Sequence, residues 1–225
     1  MEADAKEPTL AEQAYQRLSN AILAGELAAG AKISEPALAR EYGISRGPLR
    51  EALHRLQARN LITRSANQGA RVVMPSVQSL AELYVVREAL EGMAARLAAE
   101  HASAEEIDRL RASVRAPDSW SLDAGGNEGT PDVAYEKADQ DFHHAVARSS
   151  HNPMLISLLC GELYPLLRLY RGTPTDYQQL RRRAVLEHER IVAAIEDRDG
   201  ELAEILMRRH ILSARKRRAG TLERG

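Results

Sequence analysis

Apolar residues recur at three- and four-residue spacing along most of the chain, the period of helices with one buried face. The first such stripe is Ala14, Leu18, Ala21 and Ile22. Thr9 stands three residues before Glu12, the spacing of a capping box, so a helix is expected over 9–26. A short helix is expected over 35–41. Ser34 is its N-cap, Pro36 lies in the first turn where a missing N–H is harmless, and Ala37, Leu38 and Tyr42 form its apolar face. Gly43 ends it, because glycine enters positive φ without strain. Ile44 plugs the turn, Ser45 is the expected cap of the next helix, and Pro48 sits in that helix's first turn. Leu49, Ala52, Leu53 and Leu56 are its buried stripe.

Two strands are expected next, over 61–64 and 70–73, joined by a turn at 65–69 that holds Asn67, Gln68 and Gly69. The Ala31–Lys32–Ile33 stretch is positioned to add a third strand. Helix, turn, helix and two-stranded wing together read as a winged helix-turn-helix domain over 9–75.

Beyond Pro75 the helical period takes over. Leu80, Leu83, Tyr84, Leu90, Met93, Ala94 and Leu97 predict a long helix over 76–102. Ser103 and Glu106 form a capping box for a helix over 103–115. The segment 116–131, with Pro117, Gly125, Gly126, Gly129 and Pro131, reads as a loop carrying Trp120. Helices follow over 132–149, over 152–171 with Asn152 as cap and Pro165 as a kink, over 175–198 and over 199–218. The expected fold is mainly α: an N-terminal winged helix-turn-helix, then an all-α antiparallel bundle of about six helices over 76–218.

Composition narrows the function. The chain has 225 residues, enough for two small domains, and a net charge of -1, so it binds no polyanion by bulk charge. The charge is local: over 34–71 there are seven arginines (40, 46, 50, 55, 59, 64 and 71) against three glutamates (35, 41 and 51). One cysteine, Cys160, excludes an internal disulfide framework. No stretch reads as a signal peptide or a membrane span, so a soluble cytoplasmic protein with no membrane partner is expected. The basic run at 215–218 reads as a solvated helix end.

The local charge sits where a DNA reader needs it. Arg46 and Arg50 are one turn apart and off the buried stripe, at the start of the second helix of the pair, beside Ser45 and Gly47. That position suits a helix whose N-terminal side chains enter a major groove. Arg64 and Arg71 flank the wing turn, and Gly69 lets backbone approach a phosphate. A bland amphipathic helix with solvated arginines is the competing reading. The run SEPALAREYGISRGPLREALHRLQARNLI, followed by NQGARV, resembles the GntR family of bacterial repressors. The resemblance implies a homodimer on a palindromic double-stranded operator, with Arg46 and Arg50 in the major groove and the Gly69 tip at the minor groove. Some members carry a DNA-touching Arg near position 36, where this chain has Pro36.

A second constellation lies in the bundle. Asp139 and His143 are one turn apart on one expected helix, while His188 and His210 fall on the buried stripes of two others. Three inward histidines and a carboxylate on facing helices suit a divalent transition metal. Three separately satisfied core histidines are the alternative. His101, His144 and His151 fall off the line. The pieces VVREALEGMAARLAA, DQDFHHAVARSSHNP, LEHERIVAAIEDRD and MRRHI are similar to the FCD sensor domain found in one branch of the same family. That resemblance implies Asp139, His143, His188 and His210 as ligands of Zn, Ni or Mn. It also implies that Arg87 clamps a small organic acid. Asn152 is a candidate for a further polar contact, and as a helix cap it needs no such role. Arg87 reads equally as the partner of Glu91, one turn on, in a surface ion pair. The expected effector is a di- or tricarboxylate such as citrate or 2-methylcitrate, as in regulators of propionate and methylcitrate catabolism. The expected protein is a ligand-responsive repressor and no enzyme. A sensor of the ion itself and a metal-dependent hydrolase are the alternatives.

Overall fold

The computed structural model of the chain describes residues 7–65, 69–114, 142–167, 169 and 177–222, the side chains of 177–182 and 217–222 excepted. Asn67, Gln68, the 116–131 loop with Trp120, the first part of the 132–149 helix and Asp139 lie outside the described residues. The chain divides into two compact units. One is Met1–Pro75 with Pro165–Tyr170, and the other is Ser76–Tyr164 with Arg171–Gly225.

The first unit runs α1 (Leu10–Leu23), β1 (Lys32–Ile33), α2 (Glu35–Tyr42), α3 (Arg46–Ala58), β2 (Ile62–Ser65) and β3 (Gly69–Val72). Thr9 caps α1, its hydroxyl accepting from the Glu12 N–H at 3.1 Å. The Glu12 carboxylate does not complete a capping box. It takes Arg55 of α3 at 2.5 Å and Gln16 at 3.0 Å instead. The three strands form one antiparallel sheet in the order β1-β3-β2, so the short Lys32–Ile33 segment does join the wing.

The core holds Leu18 and Ile22 of α1, Leu49, Leu53 and Leu56 of α3, and Ile62, Ala70 and Val72 of the sheet. Complete burial of such side chains stabilises by about 1.5–3 kcal/mol each before chain entropy is counted. Helix α2 has no fully buried residue. Leu38 and Tyr42 lean on the core as expected, with Ala39 beside them, while Ala37 is exposed. Gly43 ends α2 at φ 64°, in the left-handed region. The turn to α3 is therefore tight, and α3 is held across the core.

The second unit is helical. It contains α4 (Val77–His101), α5 (Ala104–Val114), α6 (142–149), α7 (153–167) as far as Tyr164, α8 (Tyr177–Glu196) and α9 (Gly200–Leu222). Ser76 and Ser79 cap α4 reciprocally, and Ser103 with Glu106 forms the predicted box on α5. Helix α4 packs along α9, and α8 packs against α9, α5 and α4. At Gly92 of α4 a Cβ would lie 2.8 Å from Cγ of Arg208 on α9, so any side chain here would force Arg208 to move. The buried face of α4 differs from the predicted stripe. It carries Leu80, Tyr84, Ala94, Ala95 and Ala98, and with them the charged Arg87 and Glu91, while Met93 is exposed. Helix α7 does not simply kink at Pro165. Its middle, Ser157–Leu163, is a π-helix, and the Tyr164 N–H returns to Leu159 O. Pro165 has no N–H to give the carbonyl of Gly161 and crowds it, which favours a wider turn just before the proline. Among the described residues, no helix is long and apolar enough to cross a membrane.

Candidate DNA-reading face and candidate metal centre

The start of α3 is open to solvent. Ser45 sits at the N-cap with extended backbone (φ -72°, ψ 166°), yet its hydroxyl makes no capping hydrogen bond. A cap oxygen serves the N–H of the second or third helical residue. Here the third is Pro48, which has none. The Ser45 side chain, predicted as a cap, is a cap by position only. Arg46, Gly47 and Arg50 are all exposed on this first turn and a half.

Arg50 is not a loose arginine. Its Nε donates to Oε2 of Glu35, the first residue of α2, at 3.1 Å. The other oxygen of the same carboxylate accepts from Arg64 Nη2 at 3.0 Å. Arg64 Nη1 also lies 3.3 Å from His54 Nε2. One carboxylate on α2 thus gathers an arginine of α3 and an arginine of β2. Glu35 carried no signal of this in the sequence, where 15 and 29 residues separate it from its partners.

The wing arginines do not form a pair. The register sets Arg64 opposite Ala70 and Thr63 opposite Arg71. Cross-strand partners share a face and neighbours alternate, so Arg64 and Arg71 lie on opposite faces of the sheet. Arg71 Nη1 donates to the Gly30 carbonyl at 3.1 Å. Gly69 opens β3 at φ 75°, and among the described residues a Cβ there would meet nothing within 4 Å, so the positive φ is what favours glycine.

In the second unit α6, α8 and α9 bring three imidazoles together. His143, His188 and His210 are 3%, 4% and 2% exposed, and their ligand atoms all lie within 4.8 Å of one another. Nε2 of His210 is 3.2 Å from Nε2 of His188 and 3.3 Å from Nε2 of His143. Two nitrogens bound to one ion at about 2.0–2.1 Å stand roughly 2.8–3.0 Å apart at the right angle of an octahedron and about 3.3–3.4 Å apart at the tetrahedral angle. The spacing of the donors therefore fits a single divalent ion.

The outer edges of two rings face carboxylates. Nδ1 of His210 makes a 2.8 Å hydrogen bond with Oε2 of Glu187, while Nδ1 of His143 lies 2.6 Å from Oε2 of Glu91 as a close ion-pair contact that is not aligned as a hydrogen bond. A proton on each Nδ1 leaves the Nε2 lone pair directed at the cluster, the arrangement by which protein carboxylates orient metal-binding histidines. Phe142 stacks on the His188 ring at 3.9 Å between centroids. His101, His144 and His151 are not part of the cluster. His151 pairs with Glu106 at 2.8 Å, and His144 packs on Tyr164.

Arg87 and Glu91 do form the one-turn ion pair, with Arg87 Nε 2.5 Å from Glu91 Oε1, but the pair is buried, at 4% and 1% exposure, rather than on the surface. Burial by itself would raise the Glu91 pKa; the charges of Arg87 and His143 outweigh it and hold the carboxyl well below its ordinary range. Tyr84 lies under the guanidinium, 4.8 Å from ring centroid to Cζ. Asn152 caps α7, its Oδ1 accepting from the N–H groups of Met154 and Leu155 at 3.1 Å. Glu91 and Glu187 were not expected at the centre. Glu187 stands beside His188 in sequence and Glu91 one turn from Arg87, but nothing in a single sequence shows that either meets an imidazole of another helix.

The described elements agree with known families. Residues 10–72 match the model of bacterial regulatory proteins of the gntR family, and residues 82–213 match the FCD domain. The chain is 32% identical over 209 residues to a probable D-xylose utilization operon transcriptional repressor of Paenarthrobacter nicotinovorans, covering 90% of this chain and 86% of that one. It is 29% identical over 219 residues to the transcriptional regulator LutR of Bacillus subtilis, covering 88% and 96%. A similar fold is seen in a GntR-type putative transcriptional regulator of Rhodococcus sp. RHA1, with TM-score 0.68 at 21% identity over 93% of this chain and 97% of that one. E. coli McbR/YncC superposes with TM-score 0.63 at 22% identity, covering 92% and 95%. The relatives are transcriptional regulators and not enzymes, and such regulators pair an operator-binding head with a domain that binds small-molecule effectors. A winged helix-turn-helix followed by an FCD domain places this chain in the GntR family of bacterial transcriptional regulators.

Proposed function

We propose that the protein is a repressor that binds a palindromic operator as a homodimer and answers to a small carboxylic acid held at a metal centre in its FCD domain. The convergence of three buried Nε2 atoms, two of them backed by carboxylates, carries this reading. His143, His188 and His210 hold a divalent transition ion, Zn, Ni or Mn. Asp139, outside the described residues, is the fourth ligand on the strength of its one-turn spacing from His143. The remaining coordination positions take a di- or tricarboxylate such as citrate or 2-methylcitrate, and the Arg87 guanidinium supplies its counter-charge. Asn152 serves the same ligand only through atoms its capping role leaves available.

On the DNA side, Arg46 and Arg50 read base edges from the start of α3. Ser45, Gly47 and the Gly69 tip approach phosphates, and Arg64 and Arg71 serve the wing from its two faces. Dimerisation has support in α4. Leu83, Val86, Leu90, Met93 and Leu97 follow three- and four-residue steps, and Val86 and Met93 are 46% and 40% exposed. An apolar seam of that period suits a second copy of the same helix. The repressor reading draws on the relative from Paenarthrobacter nicotinovorans, which is described as a probable repressor.

The test is elemental analysis of gently purified full-length protein, followed by operator binding before and after chelation. One ion per chain is expected, absent in His188→Ala, with two chains per operator by sedimentation. Citrate should release the operator from loaded protein and do nothing after chelation. Release or capture on chelation alone would make the ion itself the signal. Protein without any ion would return the cluster to three core histidines.

A further inference from the structure

Glu91 is a carboxylate with two partners on two helices, and all three groups are buried. Its Oε1 takes Arg87 Nε at 2.5 Å within α4, and its Oε2 faces His143 Nδ1 of α6 at 2.6 Å. Glu187 stands likewise behind His210, here in a hydrogen bond, where Glu91 makes a close contact not aligned as one. Its Oε2 faces Nδ1 at 2.8 Å, while its Oε1 is fixed by Arg183 Nε at 3.0 Å and the Ser213 hydroxyl at 3.2 Å. Burying a charge is costly unless it is paired and hydrogen-bonded, so a carboxylate 1% exposed has a definite partner set. Among the described residues, Glu91 takes the Nε edge of Arg87, and Arg87 gives no hydrogen bond from its Nη1–Nη2 fork. That fork is the edge that matches a carboxylate in two parallel bonds.

We propose that Glu91 and Glu187 are the positioning residues of the histidine cluster, and that Glu91 also ties the cluster to Arg87 by sharing one carboxylate between them. This rests on the metal reading above and deepens it. A carboxylate on Nδ1 fixes the tautomer, aims the ring and raises the basicity of Nε2. Arg87 draws on the same carboxylate and so opposes that effect at His143. An anion that engages the Arg87 fork reduces the positive charge Arg87 presents to Glu91, and His143 becomes the stronger ligand. By linkage, whatever anion tightens the ion is itself bound more tightly when the ion is present.

The two variants Glu91→Gln and Arg87→Gln therefore have opposite signs. Metal-free full-length protein is titrated with Zn alone against a chromophoric chelator. Glu91→Gln and Glu187→Gln should each weaken Zn binding by about 10–100-fold. Arg87→Gln should leave it equal or tighter. A purely structural role would make Arg87→Gln and Glu91→Gln weaken it together, because both break the same buried pair, and that result overturns the proposal. Should Glu91→Gln fail to fold with Arg87 left unpaired, the double variant Arg87→Gln/Glu91→Gln removes both charges, and it should still bind Zn more weakly than Arg87→Gln alone. Nitrogen-15 spectra of the metal-free wild type give a second readout, in which His143 and His210 should both carry their proton on Nδ1; protonation on Nε2 refutes the assignment. Wild type that binds no Zn defeats the metal reading itself. Wild type that binds Zn with glutamine variants of equal affinity defeats only the positioning role.

Discussion

Nε2 of His188 stands 3.2 Å from Nε2 of His210, one helix further along the chain. An ion held between them by both lone pairs binds the folded chain, where the two rings meet, and not the unfolded one. Metal and stability should therefore be linked. With free Zn about a hundredfold above its dissociation constant, the stabilisation is about 2.7 kcal/mol. For a chain of this size that amounts to a rise in melting temperature of roughly 5–10 °C. Calorimetry of His210→Ala should show no rise on adding Zn; an undiminished rise would place the ion elsewhere.

The single carboxylate of Glu35 holds Arg50 and Arg64 in the free protein. A solvent-accessible pair such as Glu35–Arg50 contributes only about 0–1 kcal/mol, and Glu35–Arg64 is half-buried rather than enclosed, so DNA phosphates can displace both. Glu35→Gln should raise affinity for random duplex DNA and steepen its salt dependence, with a slope change of about -0.9 for each phosphate newly neutralised. Anisotropy across a salt series measures this. An unchanged slope would show that Glu35 does not restrain the two arginines.

Two glycines on helices should respond to alanine in opposite ways. At Gly47 on α3 an added Cβ would have nothing within 4 Å, whereas at Gly92 it would sit 2.8 Å from Arg208 Cγ and 3.3 Å from Glu204 Cγ. Gly47→Ala should stabilise the first unit by up to about 1 kcal/mol through helix propensity while weakening operator binding if backbone meets phosphate there. Gly92→Ala should destabilise the second unit, because overpacking at about 1–3 kcal/mol outweighs the same propensity gain. Thermal melts of the two variants, with operator binding for the first, decide both points.

Glu106 ties the start of α5 to the residues after α6. Its carboxylate accepts from the Ser103 N–H at 2.9 Å and pairs with His151 at 2.8 Å. The Ser103 backbone hydrogen bond, and then His151, hold its pKa below the ordinary 4.5. A carboxyl depressed in the folded state stabilises above its unfolded pKa and loses that contribution as pH falls through the folded value. The melting temperature of wild type should exceed that of Glu106→Gln at pH 6, and the gap should close as the pH is lowered from 4.5 towards the folded value and below it. A gap independent of pH would mean that the ionised form contributes nothing.

Local signals carried much of the fold. The capping residues Thr9, Ser34, Ser76, Ser103 and Asn152 act within three residues of themselves, so a single sequence shows where those helices begin. The stripes of α1 and α3 were legible for the same reason, since Leu18, Leu49, Leu53 and Leu56 are apolar at helical period and fully buried. Pattern failed on α4, where Arg87 and Glu91 occupy the inward face and Met93 the outward one. Hydrophobicity marks burial only when the buried group is apolar, and here the burial is made tolerable by charge pairing. Ser45 shows the limit of position-based capping, because Pro48 removes the donor its hydroxyl would have served.

The sequence by itself determined the order of helices, the winged helix-turn-helix and the histidines on inward stripes, because each of these is a property of neighbours along the chain. Only the tertiary structure decided that His143, His188 and His210 meet within 4.8 Å, that Glu91 and Glu187 stand behind two of them, and that Glu35 joins Arg50 to Arg64. Those contacts join residues 15 to 67 positions apart, on different helices and strands. Their geometry is set by how the elements pack, and no periodicity within one element encodes it.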